Sequence, residues 1–427
     1  MIWMREFNKQ LLTLRALFAA MASVQLVTAA SGTLVALDFA ASGASQEAAA
    51  LAPAFYSLGF LVGCFRTSRW ITQIGHIRSF AAGAAICIAS TLIFALTEFV
   101  PVLLGVRFTT GLATATLFAI GDAWVSQSAD GNSRGRLLAI YAILLGALSV
   151  GSQIMIPVLP DDINVAFVVV SLLYCLAIVI LTAARTDPPS AHADASVRLK
   201  AVFRDSPTAW LGSFTVGMVA TTLLNVGPYR AATQGIDAEE IALAIGALYL
   251  GRIVFMYPLG WASDFYDRRR IIVANGCVAS AVLLYLSIAG SGDGLGYRAV
   301  LGTNLQLVLL GLLFVLGGAL LTAYSLLVAH AMDRTVPVYV ASTTVTLLFV
   351  WTMGAVAGPL LASLVSAAFG DEAASWLLTF LMVSYTSYVL FRLKRAKASD
   401  RAEKTAFVST ETSSLEVAPN QKKKAKT

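Results

Sequence analysis

"PLGWASDFYDRRR", Pro258 to Arg270, crowds two aspartates and three consecutive arginines into one short segment. The chain around it is only 13% charged, and long apolar runs flank the segment over 241–262 and 271–289. Soluble chains are about 25% charged and roughly 45–50% apolar. This one has 427 residues, is 58% hydrophobic and has a mean hydropathy of +0.76. No aqueous fold hides that much apolar surface, so the segment reads as a charged turn between two helices in lipid.

Working outward from that turn, apolar runs of about 18–25 residues recur twelve times. They cover 13–37, 50–67, 79–97, 100–124, 137–159, 165–183, 208–229, 241–262, 271–289, 305–328, 339–367 and 373–391. Lipid offers the backbone no water to bond, so each run is expected to be a helix. The alternation of a membrane β-barrel is absent. With the N-terminus inside, 26 of the 30 lysines and arginines fall in inner loops and tails. Outer loops hold Arg230 and Arg298, while Arg107 and Arg252 lie within runs. That asymmetry predicts a multi-pass protein of the inner membrane with both termini cytoplasmic. The first run is too long for a cleavable signal peptide and is expected to stay as span 1.

Between runs six and seven lies "ARTDPPSAHADASVRLKAVFRDSPT", whose paired prolines break helix. The expected organisation is therefore a six-span half over 1–185, a cytoplasmic linker over 186–207 and a second half over 208–392. A basic, disordered cytoplasmic tail would follow over 393–427. The four cysteines sit at unrelated positions in the runs, and the three histidines form no ligand cluster, so neither metal nor cofactor is expected.

Against this frame, Gly260-x-x-x-Asp264-x-x-Asp267-Arg268-Arg269 resembles the major facilitator signature Gly-x-x-x-Asp-(Arg/Lys)-x-Gly-(Arg/Lys)-(Arg/Lys). Phe265 and Asp267 depart from it. The matching turn between spans 2 and 3 keeps Gly75 and Arg78, but Thr72 stands where the aspartate would be. Arg107-Phe-Thr-Thr-Gly111 is similar to the family's span-four motif. "GDAWVSQSADGNSRGRLLAIY" and "GPYRAATQGIDAEEIALAIGALYLG" extend the likeness to a bacterial branch of uncharacterised members, over nearly the whole chain.

The resemblance implies an all-α fold of two pseudo-symmetric six-helix halves that rock about a midplane cavity. Spans 1, 4, 7 and 10 would line it, with spans 2 and 11 meeting on one side and 5 and 8 on the other. Gly260 would bring span 8 close to span 5, which offers Gly146 and Gly151. Gly354-x-x-x-Gly358-Pro359 predicts close packing and a bend in span 11. Asp264 would latch an inner gate against the span-five N-terminus or against Arg134 or Arg136. Arg268, Arg269 and Arg270 would pin the turn to the cytoplasmic surface.

An ionisable side chain deep in a bilayer costs several kcal/mol, which marks Arg107 and Arg252 as functional candidates. Two embedded cations without a mid-span glutamate point to an anionic or carboxylate-bearing solute. Gln25, Ser31, Asn225, Tyr229 and Tyr324 are the other candidates for the cavity; for each, a plain interhelical hydrogen bond is the competing reading. Asp38 and Asp122 are the candidates for proton coupling. The expected function is secondary transport of a small solute, with protons and the lipid bilayer as further partners. The chain is expected to act as a monomer, without nucleic acid. The alternative is a transport-inactive scaffold or receptor of the same fold. An enzyme is not expected, since no paired carboxylates or nucleophile–base set lies in the spans, and no Walker lysine motif provides for ATP.

Overall fold

The computed structural model describes residues 2–128, 134–184, 197–290, 305–336 and 339–395. Most of the expected linker, the tail beyond 395 and the side chains of Arg134 and Arg136 lie outside the described residues. Twelve helices among the described residues are long and apolar enough to cross a membrane. Spans 1 to 4 are Leu14–Ala41, Gln46–Ile74, His76–Phe94 and Val100–Gln127. Spans 5 to 8 are Leu137–Val158, Ile163–Ala183, Pro207–Thr233 and Ala238–Phe265. Spans 9 to 12 are Arg268–Ala289, Leu307–Met332, Val340–Phe369 and Ala373–Lys394.

Local chemistry sets several of the ends. Ser45 caps span 2 by accepting from the Ala48 amide, and Asp162 caps span 6 by accepting from Asn164. Span 2 stops at Gly75, whose φ of 81° lies in the left-handed region that side chains avoid. Its neighbour Thr72 spends its hydroxyl on the Arg69 carbonyl. Span 7 is not uniform. A π-helical turn over Thr222–Val226 interrupts it just before Gly227 and Pro228, and the Asn225 amide donates to the Thr221 carbonyl there.

Two buried apolar clusters hold the bundle. One is built from spans 1 to 6 with Tyr229 and Ala242, the other from spans 7 to 12 with Cys64 packed on its edge. Lipid tails are as apolar as leucine, so helices associate through close packing rather than hydrophobic expulsion. Glycines provide that closeness. A Cβ on Gly59 or Gly111 would strike the backbone of the facing helix, so spans 2 and 4 touch main chain to main chain. Gly251 and Gly317 do the same for spans 8 and 10.

The two faces of the bundle carry opposite charge. One bears Arg66, Arg69, Arg78, Lys200, Arg204 and the Arg268–Arg270 turn. The far face carries Glu98, Asp161, Asp162, Asp237, Glu239, Glu240, Asp371 and Glu372, opposed among the described residues by Arg230.

Candidate functional site: a central cavity between the halves

A cavity of about 200 Å³ lies at the junction of the two sets of spans. Gln25, Ser31, Arg107, Asn225, Arg252 and Tyr324 all line it. Its walls also include Tyr56, Tyr249, Trp351 and Thr352.

Arg107 is 4% exposed. Its guanidinium donates to the Ser31 hydroxyl at 3.0 Å and lies over the Tyr56 ring, 4.6 Å from the centroid. Gly111, one turn on, explains that contact: it lets span 2 approach until the Tyr56 backbone sits against span 4. A cation over an aromatic face recovers about 2 kcal/mol or more when desolvated, part of the burial cost. No carboxylate forms an ion pair with Arg107 among the described residues, and its Nε is buried without a partner.

Arg252 follows Gly251, whose contact with the span-ten backbone at Phe314 and Gly318 fixes this part of span 8. Gln25 donates from Nε2 to Ser149 at 2.8 Å. Ser149 has already given its proton to the Leu145 carbonyl, so Gln25 must be the donor and its Oε1 is left to accept. That Oε1 and the Trp351 indole nitrogen are both buried without a hydrogen-bond partner.

Other expected residues stand elsewhere. Tyr229 does not line the cavity; its hydroxyl donates to the Ala44 carbonyl at 2.7 Å, one turn beyond Asn225 towards the far face. On that side Asn225 crowds Gly32, its Oδ1 2.9 Å from where a Cβ on Gly32 would sit. Asp38, 8% exposed, and Asp122, 3% exposed, are buried outside the cavity lining. Spans 5 and 8 do pack together, with Gly146 opposite Ile253, but Gly151 faces Leu26 of span 1. Gly260 is buried, and Gly251 in the same span makes a backbone contact with span 10. Gly354 and Gly358 meet span 7 at Phe214 and Met218, and Pro359 is buried inside the same helix.

The charged turn also differs from a simple surface anchor. Arg268 is buried and bonds Asp333 at 2.6 Å, the Ala329 carbonyl at 2.7 Å and Asp264 at 2.9 Å. It ties the ends of spans 8, 9 and 10 into one knot. Arg269 pairs with Asp267 at 2.8 Å. Burial works against the Asp267 carboxylate, but the Arg269 hydrogen bonds outweigh it and hold its pKa below the ordinary value. Gly75 and Arg78 lie at the corresponding turn of the first half, where Arg78 is exposed.

The sequence profile of the Major Facilitator Superfamily matches residues 16–229 and again 209–423. The chain belongs to the Major Facilitator Superfamily. It is therefore a multi-pass membrane protein of a transporter family, not an enzyme. An uncharacterised facilitator-type transporter of Yersinia pseudotuberculosis serotype O:3 (strain YPIII) is 24% identical over 336 residues, covering 78% of this chain and 82% of that protein. Another, of Enterobacter sp. (strain 638), is 24% identical over 377 residues, covering 88% and 93%. Among solved facilitators, a bacterial homologue of the human lysosomal transporter Spinster, inward-facing and occupied, superposes with a TM-score of 0.72 at 13% identity. That superposition covers 92% of this chain and 97% of the homologue. The nucleoside transporter NupG gives 0.69 at 12% identity, covering 89% and 99%. These structural likenesses establish the facilitator fold.

Within that fold, Tyr56 and Trp351 are cavity residues that the sequence did not single out. Tyr56-Gly59-Gly63 and Trp351-Gly354-Gly358 share one spacing, which puts each aromatic on the glycine face of its helix. That stripe was the available signal.

Proposed function

We propose that this facilitator is a secondary transporter of a small anionic solute, working by alternating access with a proton as coupling ion. The observation that carries the proposal is Arg107: a buried guanidinium in a cavity between the halves, with no carboxylate bonded to it among the described residues. A solute carboxylate or phosphate would supply the missing counter-charge, and Arg252 adds a second cation to the same cavity. Asp38 and Asp122 are the groups proposed to exchange protons with the two faces. The basic face, with both termini, is proposed to be cytoplasmic. Closure of spans 1 and 7 over the cavity on the far side then corresponds to an inward-directed state, and the inward-facing Spinster homologue supports that reading.

The test is flux in proteoliposomes loaded with a panel of organic acids, with and without an imposed pH gradient. Arg107→Gln and Arg252→Ala should each abolish flux, while Arg252→Lys should retain part of it, since charge survives although the bidentate fork is lost. Uptake of neutral analogues at equal rates in all variants would refute the anion reading. The second reading, a transport-inactive scaffold, draws on Thr72, whose hydroxyl bonds the Arg69 carbonyl where an acidic gate residue is expected. It predicts ligand binding without flux.

A further inference from the structure

We infer that the solute is an aromatic carboxylate built on one small ring system, such as a phenol or an indole, and carrying a hydrogen-bond donor. The inference rests on the anionic reading above and adds the rest of the molecule to it. Size comes first. Ordinary ligand pockets run to roughly 300–1,000 Å³, and this one is about 200 Å³. It is suited to one ring system rather than to a disaccharide or a peptide.

The unsatisfied groups then define the polarity of the guest. Buried polar atoms are almost always hydrogen-bonded, so each orphan in a cavity wall describes a missing partner. Arg107 Nε and Trp351 Nε1 are donors without acceptors. Together with the Arg107 charge they call for a carboxylate. Gln25 Oε1 is an acceptor without a donor, and the Ser149 bond fixes that orientation. A phenol hydroxyl or an indole N–H on the solute would complete it.

The walls define the body of the guest. Tyr56, Phe60, Phe118, Tyr249, Tyr324 and Trp351 contribute aromatic faces and edges to the same cavity. Ring edges and faces attract another ring beyond simple area burial, by about 0.5–1.5 kcal/mol for each good pair. An aliphatic chain gains no such term.

The test uses the full-length protein in detergent, with indole-3-acetate and 4-hydroxybenzoate as aromatic acids. Hexanoate serves as the aliphatic acid and indole as the neutral ring. Binding is read by thermal shift for all four and by quenching of tryptophan fluorescence for 4-hydroxybenzoate and hexanoate. Indole-3-acetate or 4-hydroxybenzoate should bind at least ten-fold more tightly than hexanoate and than indole. The quench should largely vanish in Trp351→Phe, which keeps an aromatic side chain but removes the N–H, and affinity should fall several-fold. Arg107→Gln should lose binding while Arg107→Lys keeps part of it; the Lys variant guards against a folding defect, as does an unchanged elution volume. Hexanoate binding as tightly as the aromatic acids would overturn the inference and leave the anionic reading standing. Indole binding as tightly would overturn the anionic reading as well. If none of the four binds, the substrate class assigned here is wrong.

Discussion

A Cβ on Gly111 would meet the backbone carbonyl of Tyr56, so the absence of a side chain there is what seats the Tyr56 ring over Arg107. Gly111→Ala should force spans 2 and 4 apart, at about 1–3 kcal/mol for an overpacked contact. Thermal unfolding in detergent should show the loss. Gly105→Ala, also in span 4, has nothing within 4 Å of its added Cβ and should leave the melting temperature unchanged or slightly higher. Equal melting for the two variants would mean that the close approach is not needed. At this scale the sequence showed the cations more readily than their surroundings. Arg107 and Arg252 stand out because charge in an apolar run is costly anywhere. Tyr56 and Trp351 do not, since aromatics occur all along membrane helices, and only their phase relative to the glycines separates a cavity wall from a lipid face.

At the scale of helices, the Pro258–Arg270 stretch reads differently in three dimensions. The sequence predicts a row of arginines held at the membrane surface, with Asp264 reaching to span 5. Arg268 is instead buried against Asp333, which lies 65 residues further along the chain, and Asp264 accepts from the same guanidinium; the side chains of Arg134 and Arg136, towards which Asp264 is expected to reach, lie outside the described residues. No local pattern announces a partner so distant, whereas the turn itself was plain from its charge. Removing one member of a buried ion pair typically costs about 3–5 kcal/mol. Arg268→Ala should therefore unfold the ends of spans 8, 9 and 10 first, seen as faster amide exchange in those segments. Asp264 is 38% exposed on its side chain, so Asp264→Asn should cost under about 1 kcal/mol of stability. A clear change in the separation of spin labels at the basic-face ends of spans 5 and 8 would then report its gating role. An unchanged distribution with unchanged flux would remove that role. Asp267 bears on acid tolerance. Because its folded pKa is depressed below 3.8, its pairing with Arg269 contributes fully above that value and is lost only as pH falls through the lower folded value. The turn should keep its protection from exchange at pH 5 and lose it only in stronger acid.

For the whole molecule, twelve spans and their order were legible because lipid imposes one length and one hydrophobic rule on every helix. Most run boundaries and helix ends differ by only a few residues, as at 241–262 against Ala238–Phe265, although span 2 continues to Ile74, well past the end of its apolar run at 67. The pairing of helix faces is less legible, since glycine stripes say that something comes close but not what; Gly354 and Gly358 announce close packing without naming span 7, which they meet. Cysteines at Asp371 and Arg66, on opposite faces of a cysteine-free background, should divide cleanly: the first labelled by an impermeant reagent on intact cells, the second only after permeabilisation. The reverse pattern would invert the proposed orientation. A short bifunctional maleimide joining Ala44→Cys to Tyr229→Cys should arrest flux by locking spans 1 and 7 together on the far side, and continued flux in the cross-linked protein would show that this closure need not open.

The opposite charge of the two faces has a kinetic consequence. An anion approaching the carboxylate-rich loops around Asp161, Asp237 and Asp371 meets a repulsive potential, while one approaching Arg66, Arg69 and Arg78 is drawn in. Salt screens both within about 10 Å at 0.1 M. Raising ionic strength should thus lower the half-saturation concentration measured from the acidic side and raise it from the basic side. The protein would act as a rectifier of encounter rates at low salt, and would lose that bias as the salt concentration climbs.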